Sequence, residues 1–520
     1  MHLPRPIRHR HQSLLIPGKT CWRAEQARRA TLLIDGEEYF AALRAAMLEA
    51  RRQILIAGWD FDTRITLPRS PGESTGTEDA APEELAAFLE YLLKRRPELE
   101  IHVARWDYHW FYVDDRETST RSRLEAIGVR FLHDSSHPEP TGCIHHKIVT
   151  IDGVLAFCGG IDITHKRWDT CAHLPDDPRR TTSSGDPYIA VHDTQMCVDG
   201  PVASALTDYV IETWPGPRPE RVVGQADIWP RHLAVEFRDV TIGIARTWPP
   251  TATAEEIREI EAFYLAAIGR TERAFYAENQ YFTSTKIAGA IAERFRQRRH
   301  LDGLLVGLDR PQTASELHTM GYGRSEFCKV LHEAHVADRV PLVAAFSGRI
   351  GINVHSKFAT FDDRWLTVGS ANLNRRSMGF DVECNLIIEA STPAHRAQIE
   401  RARNRLLGEH LGLSENEVIA ALATHGLSGL PEACSNERRL VRLDPLEVES
   451  SLGPLLVPIF DPEDPRASPP PVERLRRWYI ALALVGVALI VTAALTGRLL
   501  HDELSSYSSV QEFLESFLPT

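Results

Sequence analysis

The sequence predicts an α/β protein of two pseudo-symmetric halves. Each half is expected to carry a mixed sheet flanked by helices, with the two sheets packed together and a C-terminal transmembrane helix behind them. Three observations predict this. Segments of helical periodicity alternate with short apolar runs, the pattern of sheets covered by helices. The same helix-then-strand order occurs twice along the chain. Finally, Trp478 to Thr496 contains no charged residue.

The first half opens on EEYFAALRAAMLEARR at 37–52, with apolar residues at helical spacing, and runs into the strand-like QILIAGWDFD at 53–62. The second half repeats this with AEEIREIEAFYLAAIGR at 254–270 and RAFYAENQYF at 273–282. PEELAAFLEYLLKRR (82–96) then precedes ELEIHVARWD (98–107), as KIAGAIAERFRQRR (286–299) precedes LDGLLVGLDR (301–310). A third helical stretch, RSRLEAIG (121–128) or SEFCKVLHEA (325–334), closes each series. The expected organisation is an N-terminal extension at 1–30, halves at 31–220 and 221–440, and a linker at 441–477. A transmembrane helix at 478–497 and a tail at 498–520 follow.

The linker contains DPEDPRASPPPVERLRR, proline-rich and charged, hence semi-extended. The following 19 uncharged residues suffice to cross a hydrocarbon core as a helix. Arg474, Arg476 and Arg477 precede the span, whereas Arg498 is soon followed by Asp502 and Glu503. The positive-inside rule then leaves the large N-terminal body in the cytoplasm, anchored by a single pass. No apolar run follows the basic first residues, so no secretory leader is expected.

With 43% hydrophobic and 25% charged residues the chain can bury large cores. A formal net charge of −12 argues against nucleic acid as a partner, because duplex binding leaves a basic footprint. The eight cysteines form no CxxC pair, so they are expected to be buried thiols and not a zinc ribbon or redox site.

One signature occurs in both halves. His145-His146-Lys147 is followed by Asp152, and His355-Ser356-Lys357 by Asp362, both as H-x-K-x-x-x-x-D. Residues two apart on a strand share a face, so each His and its Lys are expected side by side. A neutral imidazole can attack or exchange a proton, and the neighbouring ammonium can hold an anion. The aspartates, in DG and DD turns, close the strands. A Gly-rich segment follows each: Gly159-Gly160-Ile161-Asp162 and Gly369-Ser370-Ala371-Asn372. Glycine permits close backbone approach, and Ser370 or Asn372 can donate to a phosphate oxygen. No metal-ligand spacing is visible. The adjacent His145 and His146 should face opposite ways on a strand, so no cofactor or metal is expected.

These paired motifs resemble the phospholipase D superfamily, over roughly residues 31–390. Further matches resemble phospholipase D proper in a short bacterial-style form: Arg167-Trp168-Asp169-Thr170 after the glycines, His192-Asp193, and Glu278-Asn279-Gln280-Tyr281-Phe282. Ser370-Ala371-Asn372-Leu373-Asn374-Arg375-Arg376-Ser377, with Asp381 and Glu383 behind it, is also similar. Ala190-Val191 before His192 and Cys384 after Glu383 depart from the family pattern. The resemblance implies a phospholipase D that hydrolyses glycerophospholipids, with transfer to an alcohol also open. Its partners would be a phospholipid and a membrane. The catalytic set would be His145, Lys147, Asp152, His355, Lys357 and Asp362. His145 would be the nucleophile forming a phosphohistidine and His355 the acid/base. Asn372, Ser370 and Gly160 would hold phosphate or support the site, and Asp169 and Glu383 would sit behind the imidazoles. Trp59, Trp106, Trp110, Trp168 and Tyr281 could be core aromatics or line a lipid site. Two alternatives stay open: a cardiolipin synthase-like phosphatidyltransferase, and a non-catalytic membrane component.

Overall fold

The computed structural model describes residues 12–69, 80–107, 119–139, 141–251, 253–311, 316–433, 437–443 and 453–462. Among them no helix is long and apolar enough to cross a membrane. The apolar span at 478–497 and Trp110 lie outside the described residues.

The strands alternate apolar side chains to two faces, and each face has its own cover. In Gln53–Gly58, Ile54 and Ile56 face outward. There they meet Tyr39, Phe40 and Leu43 of helix Asp35–Glu49 and Phe88 and Leu89 of helix Leu85–Arg95. Leu55 and Ala57 face inward, into a core shared with Tyr276, Val306, Phe358, Val368 and Leu386 of the other half. The second half repeats the outer layer. Phe263 and Tyr264 of helix Glu259–Arg270 and Ile287, Ile291 and Phe295 of helix Thr285–Gln297 cover Phe275, Ala277 and Phe361.

The two sheets are one hydrogen-bonded sheet, a refinement of the expected pair. Strand Arg23–Ile34 pairs antiparallel with Phe237–Trp248 at the centre. From it the first half runs outward through Thr194–Asp199, Leu155–Gly159, Ile148–Ile151, Gln53–Gly58, Glu100–Trp106 and Arg130–Asp134. The second half runs through Glu383–Glu389, Trp365–Gly369, Lys357–Phe361, Ala274–Asn279, Asp302–Gly307 and Leu342–Ser347. Among these strands the outer pairs are parallel and the inner ones antiparallel, and Arg438–Arg442 adds antiparallel to the edge strand Leu342–Ser347, so the sheet is mixed. The central strand starts at Arg23, inside the segment expected as an extension. Gly453–Phe460, inside the expected linker, is a helix.

The aspartates of the two signatures lie at the far end of their strands, a correction to their expected place in the catalytic set. Asp152 accepts backbone N–H groups of Arg51, Arg52 and Gln53, each at 2.8 Å. Asp362 does the same for Glu272, Arg273 and Ala274 at 2.7–3.2 Å. Each closes the helix-to-strand turn of its half. At about 3.3 Å per residue, five residues of strand carry the carboxylate roughly 16 Å from the lysine. Both take positive φ, 51° and 53°, in the turn that follows. Asp152→Ala leaves the buried N–H of Gln53 unpaired, at about 1–3 kcal/mol before relaxation, and removes the acceptor of two part-buried N–H groups that water can reach. The expected result is a protein several degrees less thermostable whose folded fraction keeps its kcat, checked by calorimetry and by activity per folded molecule.

Candidate active site

The two halves assemble the site by exchanging strand ends. Val354, just before His355, pairs in parallel with His192, and Ile144, just before His145, bridges in parallel to Val382. The backbone N–H of His355 donates to the carbonyl of His192 (2.7 Å), and that of His145 to the carbonyl of Val382 (2.8 Å). The residue after each acceptor is a carboxylate, Asp193 and Glu383. Asp193 Oδ2 lies 2.6 Å from His355 Nδ1, and both oxygens of Glu383 lie 3.0 Å from His145 Nδ1. Each imidazole is thus held by a carboxylate from the opposite half, leaving Nε2 of both rings for a reactant. His145 and His355 keep 15% and 8% of their side-chain surface open, against 0% and 2% for Glu383 and Asp193, so solvent reaches the rings and not the carboxylates behind them.

The Gly-rich segments build that rear wall. A Cβ on Gly160 would lie 2.1 Å from Asp193 Oδ1, so only glycine admits this carboxylate. At the matching place, Ser370 Oγ donates to Glu383 Oε2 (2.5 Å) and Ser377 Oγ to Oε1 (2.6 Å). Gly160 and Ser370 therefore support the carboxylates. Asp169, expected behind an imidazole, instead pairs with Arg180 (3.0 Å) and His173 (2.9 Å) in a buried network. The position belongs to Asp193, 24 residues on, whose strand is the one that reaches His355.

Each motif sits at the mouth of its strand, where the lysine turns back onto its own histidine. Lys147 Nζ donates to His145 O (2.8 Å) and lies 3.2 Å from Asp162 Oδ2 and 5.9 Å over the Trp59 ring. Lys357 Nζ donates to His355 O and approaches Gln280 Oε1 at 3.4 Å. Asn372 matches Asp162 in the second half, and its Oδ1 is buried with no hydrogen-bond partner. Trp59 meets His145 edge-on at 6.4 Å, a candidate wall for substrate, whereas Trp106 is core. Trp168 lies under Arg179, and the Tyr281 hydroxyl donates to Glu316 (3.0 Å). His146 faces away from His145 and bonds the Tyr209 hydroxyl (3.0 Å), and burial holds it neutral, its pKa pushed down to about 3.

Burial lowers His145 below the ordinary imidazole pKa, against the pull of Glu383. It drives His355 well below, helped by Lys357 and Arg167. Burial also raises Asp193 to about 7 and lowers Lys357 to about 7. The site therefore holds its cations under strain and favours an anion between them. It can present a neutral imidazole at His145 to attack and a His355–Asp193 pair that carries the proton to be exchanged, beside the side chains of Lys147 and Lys357.

Behind Asp193 lies a cluster that sequence spacing could not reveal. Asp35, His173, His192 and Glu409, all buried, bring ligand-type atoms within 4.8 Å of one another.

Residues 264–406 match the family described as "Cardiolipin synthase, PLD-like domain". The chain is 26% identical to cardiolipin synthase B of Salmonella typhi over 72% of its own length and 79% of that protein's. It is 25% identical to cardiolipin synthase B of Escherichia coli K12, over 71% and 78%. Phospholipase D alpha 1 of Nicotiana tabacum is 23% identical over 73% of this chain and 65% of its own. In fold the chain is similar to phosphatidylserine synthase of Haemophilus influenzae Rd KW20. The TM-score is 0.52 at 12% identity, covering 77% of this chain and 93% of that one. By sequence, then, the chain is similar to proteins of the phospholipase D superfamily, and its second half carries a PLD-like domain match.

Proposed function

We propose that the protein is a phosphatidyltransferase of the cardiolipin synthase type, acting on phospholipids through a phosphohistidine on His145. The supporting observation is the pair of imidazoles, each held at Nδ1 by a carboxylate of the opposite half beside a lysine. His145 Nε2 attacks phosphorus, a P–N bond forms, and the P–O bond to the first alcohol breaks while the His355–Asp193 pair, which enters the step with one extra proton, delivers it from His355 Nε2. A second alcohol then gives its proton to His355 and its oxygen to phosphorus, the P–N bond breaks, and both rings return to their starting state. Lys147, Lys357 and Asn372 neutralise the non-bridging oxygens. The segment at 478–497 would hold the body at the membrane.

Transfer displaces hydrolysis as the main reading. The ENQYF and RWDT segments favour hydrolysis, but the cardiolipin synthases match at 25–26% identity over more of their length than phospholipase D alpha 1 does. Both alcohols would then come from lipid. Given vesicles of phosphatidylglycerol alone, the full chain should release free glycerol and form cardiolipin in equal amounts, read by thin-layer chromatography and mass spectrometry. Phosphatidic acid as the dominant product would return the assignment to a hydrolase. No turnover of any phospholipid would point to the non-catalytic reading.

The nucleophile must be neutral to attack. Because burial lowers His145, it stays neutral as pH falls through the usual imidazole range near 6.5. The acid limb of kcat/KM, which reports protonation of His145, is therefore expected below pH 6.5. A pH profile with an acid limb clearly above 6.5 contradicts this.

A further inference from the structure

We infer that Asp35, His173, His192 and Glu409 form a closed site for a divalent transition metal, zinc above all, that fastens the two halves together behind His355. The ligand atoms are in place. Glu409 Oε1 lies 2.9 Å from His173 Nε2 and 2.7 Å from His192 Nδ1. Asp35 Oδ1 lies 3.1 Å from His192 Nδ1, and Asp35 Oδ2 lies 3.4 Å from His173 Nε2. A tetrahedral ion with bonds of about 2.0–2.1 Å spaces its ligands by roughly 3.3 Å. Two imidazoles and two carboxylates suit zinc, and their two negative charges match a dication.

Two further features point to a ligand. Asp35 Oδ2 is fully buried yet has no hydrogen-bond partner, and it faces this centre. Each imidazole also has its outer nitrogen on a separate buried carboxylate: His173 Nδ1 on Asp169 (2.9 Å) and His192 Nε2 on Glu278 (2.8 Å). This carboxylate–histidine arrangement orients metal-binding imidazoles in general. Glu278 is itself held by His410 and Tyr276, and Asp169 by Arg180.

The pseudo-symmetry gives a control within the molecule. The counterpart of His192 is Val382, whose surroundings are Trp106, Cys143 and Ile144, an apolar cluster. The matching position therefore carries an apolar side chain beside a single Arg376–Asp381 ion pair and no cluster of histidines and carboxylates, and a buried charged network is costly to keep without a strong compensating interaction. Asp35 and His192 come from the first half and Glu409 from helix Pro393–Leu411 of the second. Asp35 Oδ1 also accepts the backbone N–H of Asp193 (3.1 Å), and the carbonyl of His192 accepts that of His355. An ion here fixes the strand that holds Asp193 against His355. It is a positioning element, enclosed by protein, and takes no part in the chemical step. It would serve transfer and hydrolysis alike.

The test uses the full chain, purified without chelators, with metal content measured by mass spectrometry. One zinc per chain is expected. After stripping with a strong chelator, the chain should recover one equivalent of Zn²⁺ in competition with a chromophoric indicator. It should also bind one equivalent of Co²⁺ with the intense visible bands of four-coordinate cobalt. Glu409→Gln should abolish binding. Asp169→Asn, which leaves all four ligands, should weaken it about 10–100-fold. Circular dichroism separates loss of metal from loss of fold, and if both variants unfold, the cobalt spectrum of the unaltered chain decides. A folded chain that takes up no Zn²⁺ or Co²⁺ overturns the inference and leaves a network of protonated histidines. So does binding that both folded variants retain.

Discussion

His145→Ala and His355→Ala each abolish turnover while the protein keeps its fold. The two rings would carry two consecutive tasks, and neither can do both. Without His145 there is no nitrogen to form the P–N bond. Without His355 the departing alkoxide has no proton, and the second alcohol has no base. Loss of a nucleophile or of its general acid/base partner typically costs a factor of about 10⁴ or more. The fold should survive because both rings keep an open edge, so no sealed cavity forms when they are cut back. Phosphate labelling separates the roles. With a phosphate-labelled p-nitrophenyl ester of phosphatidic acid, whose leaving group needs no proton, in a rapid quench, His355→Ala should accumulate an acid-labile phosphoprotein and His145→Ala should not. The opposite pattern exchanges the two assignments, and turnover above about one part in a thousand in either variant defeats the two-histidine chemistry.

Much of this was legible in the sequence because the repeat was. Helical periodicity at 37–52 and 254–270 gives helices Asp35–Glu49 and Glu259–Arg270, and the apolar runs after them give strands Gln53–Gly58 and Ala274–Asn279. Local periodicity reports local structure, so it also locates His145 and His355 at matching strand ends. It does not report which segment of one half meets which of the other. Asp169 lies only nine residues after Gly160, yet it turns into the Arg180 pair, while Asp193 reaches His355 through a parallel pairing set by tertiary fold. The signature aspartates misled for a related reason. Fixed spacing from a histidine suggests shared chemistry, but along a strand it places a residue at the far end, where Asp152 and Asp362 satisfy turn N–H groups. The Asp35–His173–His192–Glu409 cluster was hidden most completely, since its members span 374 positions (409 − 35) and no two share a local motif.

Glu383→Gln and Asp193→Asn should each lower kcat by about 10²–10⁴ with little change in KM. Each carboxylate touches its imidazole at Nδ1 and not the side open to a reactant, so its effect passes through the ring. An anionic oxygen at Nδ1 fixes the tautomer with its proton there, leaves Nε2 basic, and stabilises the charge that develops on the ring. An amide of the same shape can turn its NH₂ toward Nδ1, which forces the proton to Nε2 and blocks attack. In the Ser-His-Asp triad of the serine proteases, replacing the aspartate by asparagine lowers kcat by about 10⁴ for this reason. The two variants should differ in kind. Glu383 also accepts from Ser370 and Ser377, so its amide keeps two anchors and should disturb only the chemistry at His145. Asp193 is wedged over Gly160 and accepts the Thr194 N–H (2.7 Å), so Asp193→Asn should also lower thermal stability. Gly160→Ala, whose methyl group invades the space of Asp193 Oδ1, should reproduce the Asp193→Asn defect without altering any titratable group. If Glu383→Gln raised KM and spared kcat, the carboxylate would be binding substrate instead of orienting His145.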